Sequence, residues 1–182
     1  VWDETSHNFN RIYPLGKASA SIVGYLSEIT NEEIGCREGV CYDSGMKIGR
    51  AGLEKAFESQ LKGKDGGVIQ EVDVAGKVVR ERGNNDSEPG TDMVLSLDYE
   101  LQEKMYKTME GKRGAAVALD MQGKVLGIVT TPTYDPSEVS KYLADKSESF
   151  FLNRAMSGVY PPGSVFKLVT AYTGLARGFI TK

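Results

Sequence analysis

A serine and a lysine three residues apart, Ser164 and Lys167, are the residues of this chain whose types and spacing best suit covalent chemistry. Residues three apart on a helix are neighbours, so the lysine amine would lie beside the serine hydroxyl. A lysine buried among apolar groups binds its proton less tightly and can act as a base, and the positive end of a helix dipole favours an alkoxide. The pair therefore predicts a nucleophile for acyl transfer.

The residues around this pair predict the element that positions it. Pro161 and Pro162 forbid a helix that continues through them, and Gly163 allows a tight approach, so Ser164 is predicted in the first turn of a helix. Apolar residues then recur at helical spacing, namely Val165, Leu168, Val169, Tyr172, Leu175 and Ala176. This pattern predicts a core helix with one buried face and with Ser164 at its rigid tip. A chance Ser-x-x-Lys on an exposed helix is the alternative.

The rest of the chain divides at a polar stretch rich in Gly, Asn and Pro, residues 82–90. Before it, Thr30 and Glu33 have the spacing of a capping box that opens a short helix. An apolar stripe over residues 53–61 predicts a helix that stops at Gly63. Residues 68–79 predict a hairpin that turns around Ala75-Gly76.

After the polar stretch, Met93 to Leu97 predict a strand, and Asp98 is the predicted N-cap of a helix that runs through Met109. Gln122-Gly123 predicts the turn of a second hairpin, with Asp120 as a turn former. A strand, a helix, an antiparallel hairpin and a further helix in this order predict the α+β class. Glu54 is predicted to lie on a solvated face, and an inter-domain ion pair is its alternative.

Composition limits the classes of function. The 182 residues carry a net charge of -3 with dispersed Lys and Arg, which argues against binding to nucleic acid. No apolar run approaches the ~20 residues of a membrane span. A zinc site needs about four ligands, whereas the chain has two cysteines, Cys36 and Cys41, and one distant histidine, His7. We therefore expect neither a metal nor another cofactor.

The string from Tyr160 to Lys167, preceded by Asn153-Arg154-Ala155, closely resembles class B penicillin-binding proteins, for which Ser-x-x-Lys is the nucleophile motif. The double proline before Gly163 is more similar to the cell-elongation type than to the division type. Further segments resemble the family in order, namely residues 11–16, 22–26, 49–58, 90–98, 114–120 and 123–129. The resemblance implies a non-catalytic pedestal (dimerisation-type) domain at residues 1–90 and the truncated N-terminal part of a transpeptidase domain at residues 91–182.

For the parent protein, the resemblance implies a serine D,D-transpeptidase with Ser164 and Lys167 as its catalytic residues. Such an enzyme cross-links peptidoglycan stem peptides through an acyl-enzyme, is inhibited by β-lactam antibiotics and works with other cell-wall synthesis proteins. Two alternatives stay open: a non-catalytic pedestal that docks proteins of the wall machinery, and a soluble serine β-lactamase. The last is disfavoured because it needs no ~90-residue domain before its first sheet strand.

The family also implies an extracytoplasmic location, at the outer face of the bacterial membrane, with an anchor expected upstream of Val1. In such a compartment disulfides survive, so a Cys36–Cys41 bridge is favoured over two free thiols in this glycine-rich loop. Downstream of Lys167 the chain has neither the Ser-x-Asn nor the Lys-Ser/Thr-Gly of the family. We therefore expect this segment alone to be inactive and its apolar faces to be mobile or covered by self-association.

Overall fold

A computed structural model describes residues 2–3, 8–9, 11–37, 40–64, 66–75 and 77–181. His7, Gly39 of the loop between the two cysteines and Gly76 of the predicted hairpin turn lie outside these residues. The helices are α1 (Ala20–Val23), α2 (Gly52–Ala56), α3 (Glu58–Leu61), α4 (Tyr99–Met109), α5 (Val139–Ala144) and α6 (Lys167–Ala176), with single 3-10 turns at Gly16–Ala18, Asn31–Glu33 and Gly163–Phe166.

The strands form two-stranded antiparallel pairs: β1 with β2, β3 with β6, β4 with β5, β7 with β8, and β9 with β10. Their bounds are β1 (Trp2–Asp3), β2 (Asn8–Phe9), β3 (Leu26–Glu28), β4 (Gly35–Arg37), β5 (Val40–Tyr42), β6 (Lys47–Gly49), β7 (Gly67–Val72), β8 (Val78–Asn85), β9 (Gly114–Leu119) and β10 (Val125–Thr131). Helices and strands of this kind, in separate antiparallel pairs, confirm the α+β class.

Local signals in the first half of the chain are largely confirmed. Thr30 and Glu33 form the predicted capping box on a single 3-10 turn. Arg50 donates to both carboxylate oxygens of Glu33, at 2.5 and 2.8 Å, and these hydrogen bonds lower the pKa of Glu33 to about 2. This ion pair ties the short turn to the end of β6.

The predicted helix over residues 53–61 is two short helices, because the chain leaves helical geometry at Phe57. After the break, the Glu58 carboxylate accepts hydrogen bonds from the Tyr42 hydroxyl at 2.8 Å and from the Gly49 amide at 2.9 Å. These bonds to β5 and β6 hold α3 in its place. Gly63, with φ at +74°, lies just past the helix end, as predicted.

In the second half, the Asp98 carboxylate accepts from the Leu101 amide at 2.8 Å and caps α4, as predicted. The hairpin of β9 and β10 turns at Gly123, and Asp120 accepts from the Gln122 and Lys124 amides. Both predictions are therefore confirmed.

The predicted strand from Met93 to Leu97 is wrong. The segment has no ladder partner, and it is joined to β10 by one hydrogen bond, with a second from the residue that follows it. Ser96 donates to the Val125 carbonyl at 2.7 Å, and the Asp98 amide donates to the Leu126 carbonyl at 2.8 Å. Val94 has an exposed fraction of 96%, so the segment lacks the side-chain packing that favours a strand.

The core joins the start of the chain to its second half. Ala20 of α1 packs with Tyr134 and Val139, and the ring of Phe151 stacks on that of Tyr134 with centroids 4.6 Å apart. The Tyr134 hydroxyl donates to the Ala20 carbonyl at 2.9 Å. Residues before the polar stretch thus contribute to the core that supports the second half.

Gln102 of α4 is fully buried at the same junction, with an exposed fraction of 0%. Its amide nitrogen donates to the carbonyls of Ala18 and Ile128, at 2.6 and 2.7 Å, and its oxygen accepts from the Ile128 amide at 2.9 Å. One side chain therefore links α4, β10 and the segment before α1.

Candidate active site

The nucleophile candidate lies on a turn between an irregular loop and α6. Pro161 and Pro162 precede Gly163, which adopts a positive φ of +53°, a conformation that glycine reaches without strain. Ser164 is in the following 3-10 turn, and α6 begins at Lys167, whose backbone N–H donates to the carbonyls of Ser164 and Val165. The structure thus puts both residues on one turn, although this turn is 3-10 and not α-helical.

Lys167 is not buried within the part of the protein that the structure describes, contrary to the prediction. Ser164 and Lys167 are both exposed and make no hydrogen bond with each other. The reason is that no described element covers this part of α6. The spacing that the chemistry requires is therefore present, whereas the burial that the apolar stripe predicts is not.

The apolar face of α6, predicted to be buried, is exposed. Val165 and Tyr172 each have an exposed fraction of 73%. The same holds, to differing degrees, for Phe166, Leu168, Val169, Leu175 and Phe179. On the sheet, Val117 and Leu119 of β9 are also exposed, which makes an apolar surface of the kind that normally has a partner.

Two polar side chains, the half-buried Asn153 and the buried Arg154, hold the loop that leads to Ser164. The sequence did not predict this role for either residue. Arg154 has an exposed fraction of 4% and donates to the Pro132 and Ser149 carbonyls at 3.1 and 3.2 Å. The Asn153 amide nitrogen donates to the Ser21 carbonyl at 3.0 Å. The Asn-Arg-Ala string was the available signal, but its partners lie too far away in sequence to be inferred.

The sequence predicts Glu54 on a solvated face, and this prediction is wrong. Glu54 has an exposed fraction of 4%, and Arg11 approaches both of its carboxylate oxygens at 3.0 and 3.1 Å. Burial raises the pKa of Glu54, and the Arg11 guanidinium opposes this effect. Burial, with a smaller contribution from Glu54, also raises the pKa of the neighbouring Tyr13 to about 12. This group is far from Ser164 in sequence and fixes α2.

Cys36 and Cys41 form a disulfide across β4 and β5, with their Cα atoms 4.0 Å apart and directly paired in register. The Lys62 amine donates to the Cys41 carbonyl at 2.6 Å, so the bridged hairpin is also attached to the end of α3. No group of metal-ligating side chains is found within the described residues.

We predict that protein prepared without reductant has no free thiol in denaturant and is lighter than the reduced chain by two hydrogen atoms. The ring is short, so the bridge should stabilise the fold by no more than ~3 kcal/mol. Intact mass and thiol titration measure this. A Cys41→Ser variant, which leaves one titratable thiol, calibrates the assay, and two thiols in the unreduced wild type would refute the bridge.

A cavity of about 360 Å³ lies elsewhere, between the 3-10 turn before α1, the end of α4 and α5. Lys17, Tyr106, Arg113, Thr133 and Tyr142 are among its lining residues, and Ser164 is not. Neither residue of the Ser-x-x-Lys pair lines this cavity. Within the described part of the chain, no helix has the length and apolar character to cross a membrane.

Comparison with known proteins decides the family. The penicillin-binding protein dimerisation domain matches residues 4–95, and the penicillin-binding protein transpeptidase domain matches residues 114–182. The chain belongs to the penicillin-binding protein family. Ser164 and Lys167 lie in the part that matches the transpeptidase domain.

Relatives with known names agree with this membership. The chain is 35% identical to peptidoglycan D,D-transpeptidase MrdA of Acinetobacter baumannii over 179 residues, 93% of this chain and 27% of the relative. It is 34% identical to MrdA of Escherichia coli K12, with 94% of this chain and 29% of the relative covered. Penicillin-binding protein 3 of Bacillus subtilis is 34% identical, with 93% and 26% covered.

A solved structure is similar over nearly the whole chain. Pseudomonas aeruginosa PBP2, crystallised in complex with WCK 5153, matches with a TM-score of 0.73 and 33% identity, covering 96% of this chain and 37% of that one. The chain therefore spans between a quarter and two fifths of the length of these similar proteins.

Proposed function

We propose that this chain is the pedestal, residues 1–90, and the opening part of the transpeptidase domain, residues 91–182, of a longer peptidoglycan D,D-transpeptidase. The observation that carries the proposal is the placement of Ser164 and Lys167 on one turn, after Pro161-Pro162-Gly163, inside the region that matches the transpeptidase domain. The double proline before Gly163, which resembles the cell-elongation type, is the basis for proposing an elongation role.

In the proposed reaction, the Ser164 oxygen attacks the penultimate D-Ala carbonyl of a stem peptide and its proton passes to the neutral Lys167 amine. The peptide bond breaks, the terminal D-Ala amine takes up a proton and leaves, and an ester remains on Ser164. An amine of a second stem peptide then attacks this ester, forms the cross-link and releases the serine. A β-lactam acylates the same oxygen through opening of its ring.

In this reaction the Lys167 amine is the base, whereas in the described structure its side chain is exposed. The longer protein would supply the missing environment by covering the apolar face of α6. The exposed apolar residues of α6 and of β9 support this, because apolar surface of this kind normally has a partner.

The proposed location is the extracytoplasmic face of the bacterial membrane, with a membrane anchor outside this chain. The Cys36–Cys41 disulfide supports a compartment where thiols are oxidised. Other cell-wall synthesis proteins are the proposed partners, along with peptidoglycan stem peptides and β-lactams.

A second candidate function, an interaction module without catalysis, is favoured by the hairpin of β7 and β8. Both strands are exposed along their whole length, and apolar side chains such as Ile69 and Val79 point away from any described cover, with exposed fractions of 67% and 66%. A β-lactamase is disfavoured because residues 4–95 match the dimerisation domain.

The test is covalent labelling. We predict that full-length protein incubated with a labelled penicillin gains one adduct, mapped by peptide mass to Ser164, whereas this chain alone gains none. The chain alone has no Lys-Ser/Thr-Gly after Ser164, and loss of transition-state donors to the oxyanion costs about 3–4 kcal/mol. Intact mass reads both results. A full-length protein without an adduct refutes the transpeptidase proposal, and a stoichiometric adduct on the chain alone refutes the requirement for the missing segments.

A further inference from the structure

Three consecutive residues hold the loop that leads to the nucleophile. The Asn153 side chain donates to the Ser21 carbonyl at 3.0 Å, and the Arg154 guanidinium donates to the Pro132 carbonyl at 3.1 Å. The Ala155 amide donates to the Thr130 hydroxyl oxygen at 3.3 Å. The loop between α5 and Ser164 is otherwise irregular, so these three bonds, together with the stacking of Phe151 on Tyr134, fix its position.

The supports for this loop are themselves rigid. Thr130 lies within β10 and has an exposed fraction of 2%. Ser21 belongs to α1, and the backbone just before it is held by two buried donors, Gln102 to the Ala18 carbonyl and Tyr134 to the Ala20 carbonyl. The hydrogen bond from Asn153 to Ser21 therefore attaches the loop to a helix that is itself held in place.

From Asn153 the constraint continues toward Ser164. The Ser157 amide donates to the Asn153 carbonyl at 2.8 Å, which closes a turn. At Gly158 a Cβ atom would lie 2.6 Å from the Arg154 carbonyl oxygen and 2.5 Å from the Tyr160 ring, so the backbone there is tightly enclosed. Tyr160 is four residues before Ser164, and two prolines, which restrict the backbone, lie between them.

On the other side of Ser164, α6 has no cover among the described residues. The place at which the Ser164 turn begins is therefore set from the N-terminal side, by the loop and its anchors. We infer that Asn153 and Thr130 are positioning residues for Ser164, which set the distance and direction from which its oxygen attacks. This inference rests on the proposed function.

Neither residue is proposed to touch substrate, so their effect should fall on the rate of the covalent step. A displacement of the nucleophile by about 1 Å can cost on the order of 100-fold in rate. Loss of one of several anchors should give less, about tenfold, in the acylation rate constant. Noncovalent binding of the penicillin should change less than about twofold, because the pocket that binds it keeps its groups.

Two substitutions separate this role from a general loss of packing. Asn153→Asp keeps the size and the oxygen that accepts from the Met156 amide at 3.2 Å, but it removes the donor to the Ser21 carbonyl. Thr130→Val keeps the shape and removes the acceptor for the Ala155 amide. The control is Asn84→Asp, the same chemical change at an exposed residue of β8, where the side chain donates to Asp86 at 3.1 Å.

The experiment measures acylation of the full-length protein by a fluorescent penicillin over a range of concentrations, which separates the rate constant from the binding constant. We expect a tenfold lower rate constant in Asn153→Asp and in Thr130→Val, and wild-type values in Asn84→Asp. Thermal unfolding of each variant shows whether it is folded. If Asn153→Asp does not fold, the acylation rate constant of Thr130→Val alone tests the positioning role.

Wild-type rate constants in both variants would overturn the positioning role, and so would weaker binding with an unchanged rate constant. Either result leaves the proposed function intact as long as Ser164→Ala blocks labelling. If the wild type itself is not labelled at Ser164, the proposed function fails and the positioning role fails with it.

Discussion

Full-length protein with Ser164→Ala is expected to form no covalent adduct with a labelled penicillin, because the substitution removes the only atom that can bond to the acyl group. Lys167→Ala should slow labelling by about 10²–10⁴-fold, the usual contribution of a general base. Both residues lie on the turn at Gly163–Phe166 and the first residue of α6, so neither substitution interrupts a buried contact in the described structure. Stopped-flow or gel-based labelling with intact mass measures both.

Matched controls lie on α5. Ser140 and Lys141 are exposed neighbours there, and Lys141 pairs only with Glu138 at 3.3 Å, so Ser140→Ala and Lys141→Ala should label at the wild-type rate. Stoichiometric labelling of Ser164→Ala would remove Ser164 from the mechanism. A normal rate in Lys167→Ala would assign the base to another residue.

The largest expected effect on stability is at Gln102. Gln102→Leu fills a similar volume but leaves the carbonyls of Ala18 and Ile128 and the Ile128 amide without their buried partner. Buried groups that lose a partner cost about 1–3 kcal/mol each and do not add fully, so we expect a loss of about 3–4 kcal/mol in the free energy of unfolding. In a chain of this size that lowers the melting temperature by roughly 10 °C.

Urea or thermal unfolding of the chain followed by circular dichroism measures this loss. Gln122→Leu, at an exposed position in the turn between β9 and β10, is the matched control and should change stability by no more than about 0.5 kcal/mol. Equal stability of the two variants would mean that α4, β10 and the segment before α1 are held together without the Gln102 bonds.

What the sequence predicted correctly depends on neighbours along the chain. The Asp98 cap, the capping box at Thr30 and Glu33, and the hairpin at Gly123 each involve residues within about five positions of one another. The spacing of Ser164 and Lys167 belongs to the same class. Such patterns express local backbone preferences, which sequence reasoning can use directly.

What the sequence did not predict depends on distant partners. The bond from Gln102 to Ala18 spans 84 positions, and that from Asn153 to Ser21 spans 132. The polar residues Gln102, Glu54 and Arg154 are buried because each finds such partners, although their types alone predict exposure. An apolar stripe likewise does not say which element covers it, and the face of α6 is exposed in the described structure, in agreement with the lack of cover expected for this segment alone.

The close approach of α1 to the start of α2 limits which genetic changes the chain can accept. A Cβ atom at Gly24 would lie 1.8 Å from the Ala51 carbonyl oxygen, and one at Gly52 would lie 2.2 Å from the Ile22 carbonyl oxygen. In both cases the obstacle is main chain, which is identical in every amino acid except proline. A second mutation that shortens a nearby side chain therefore cannot create the missing space. Suppressor selections that start from a substitution at either glycine should return the original codon rather than compensating changes elsewhere.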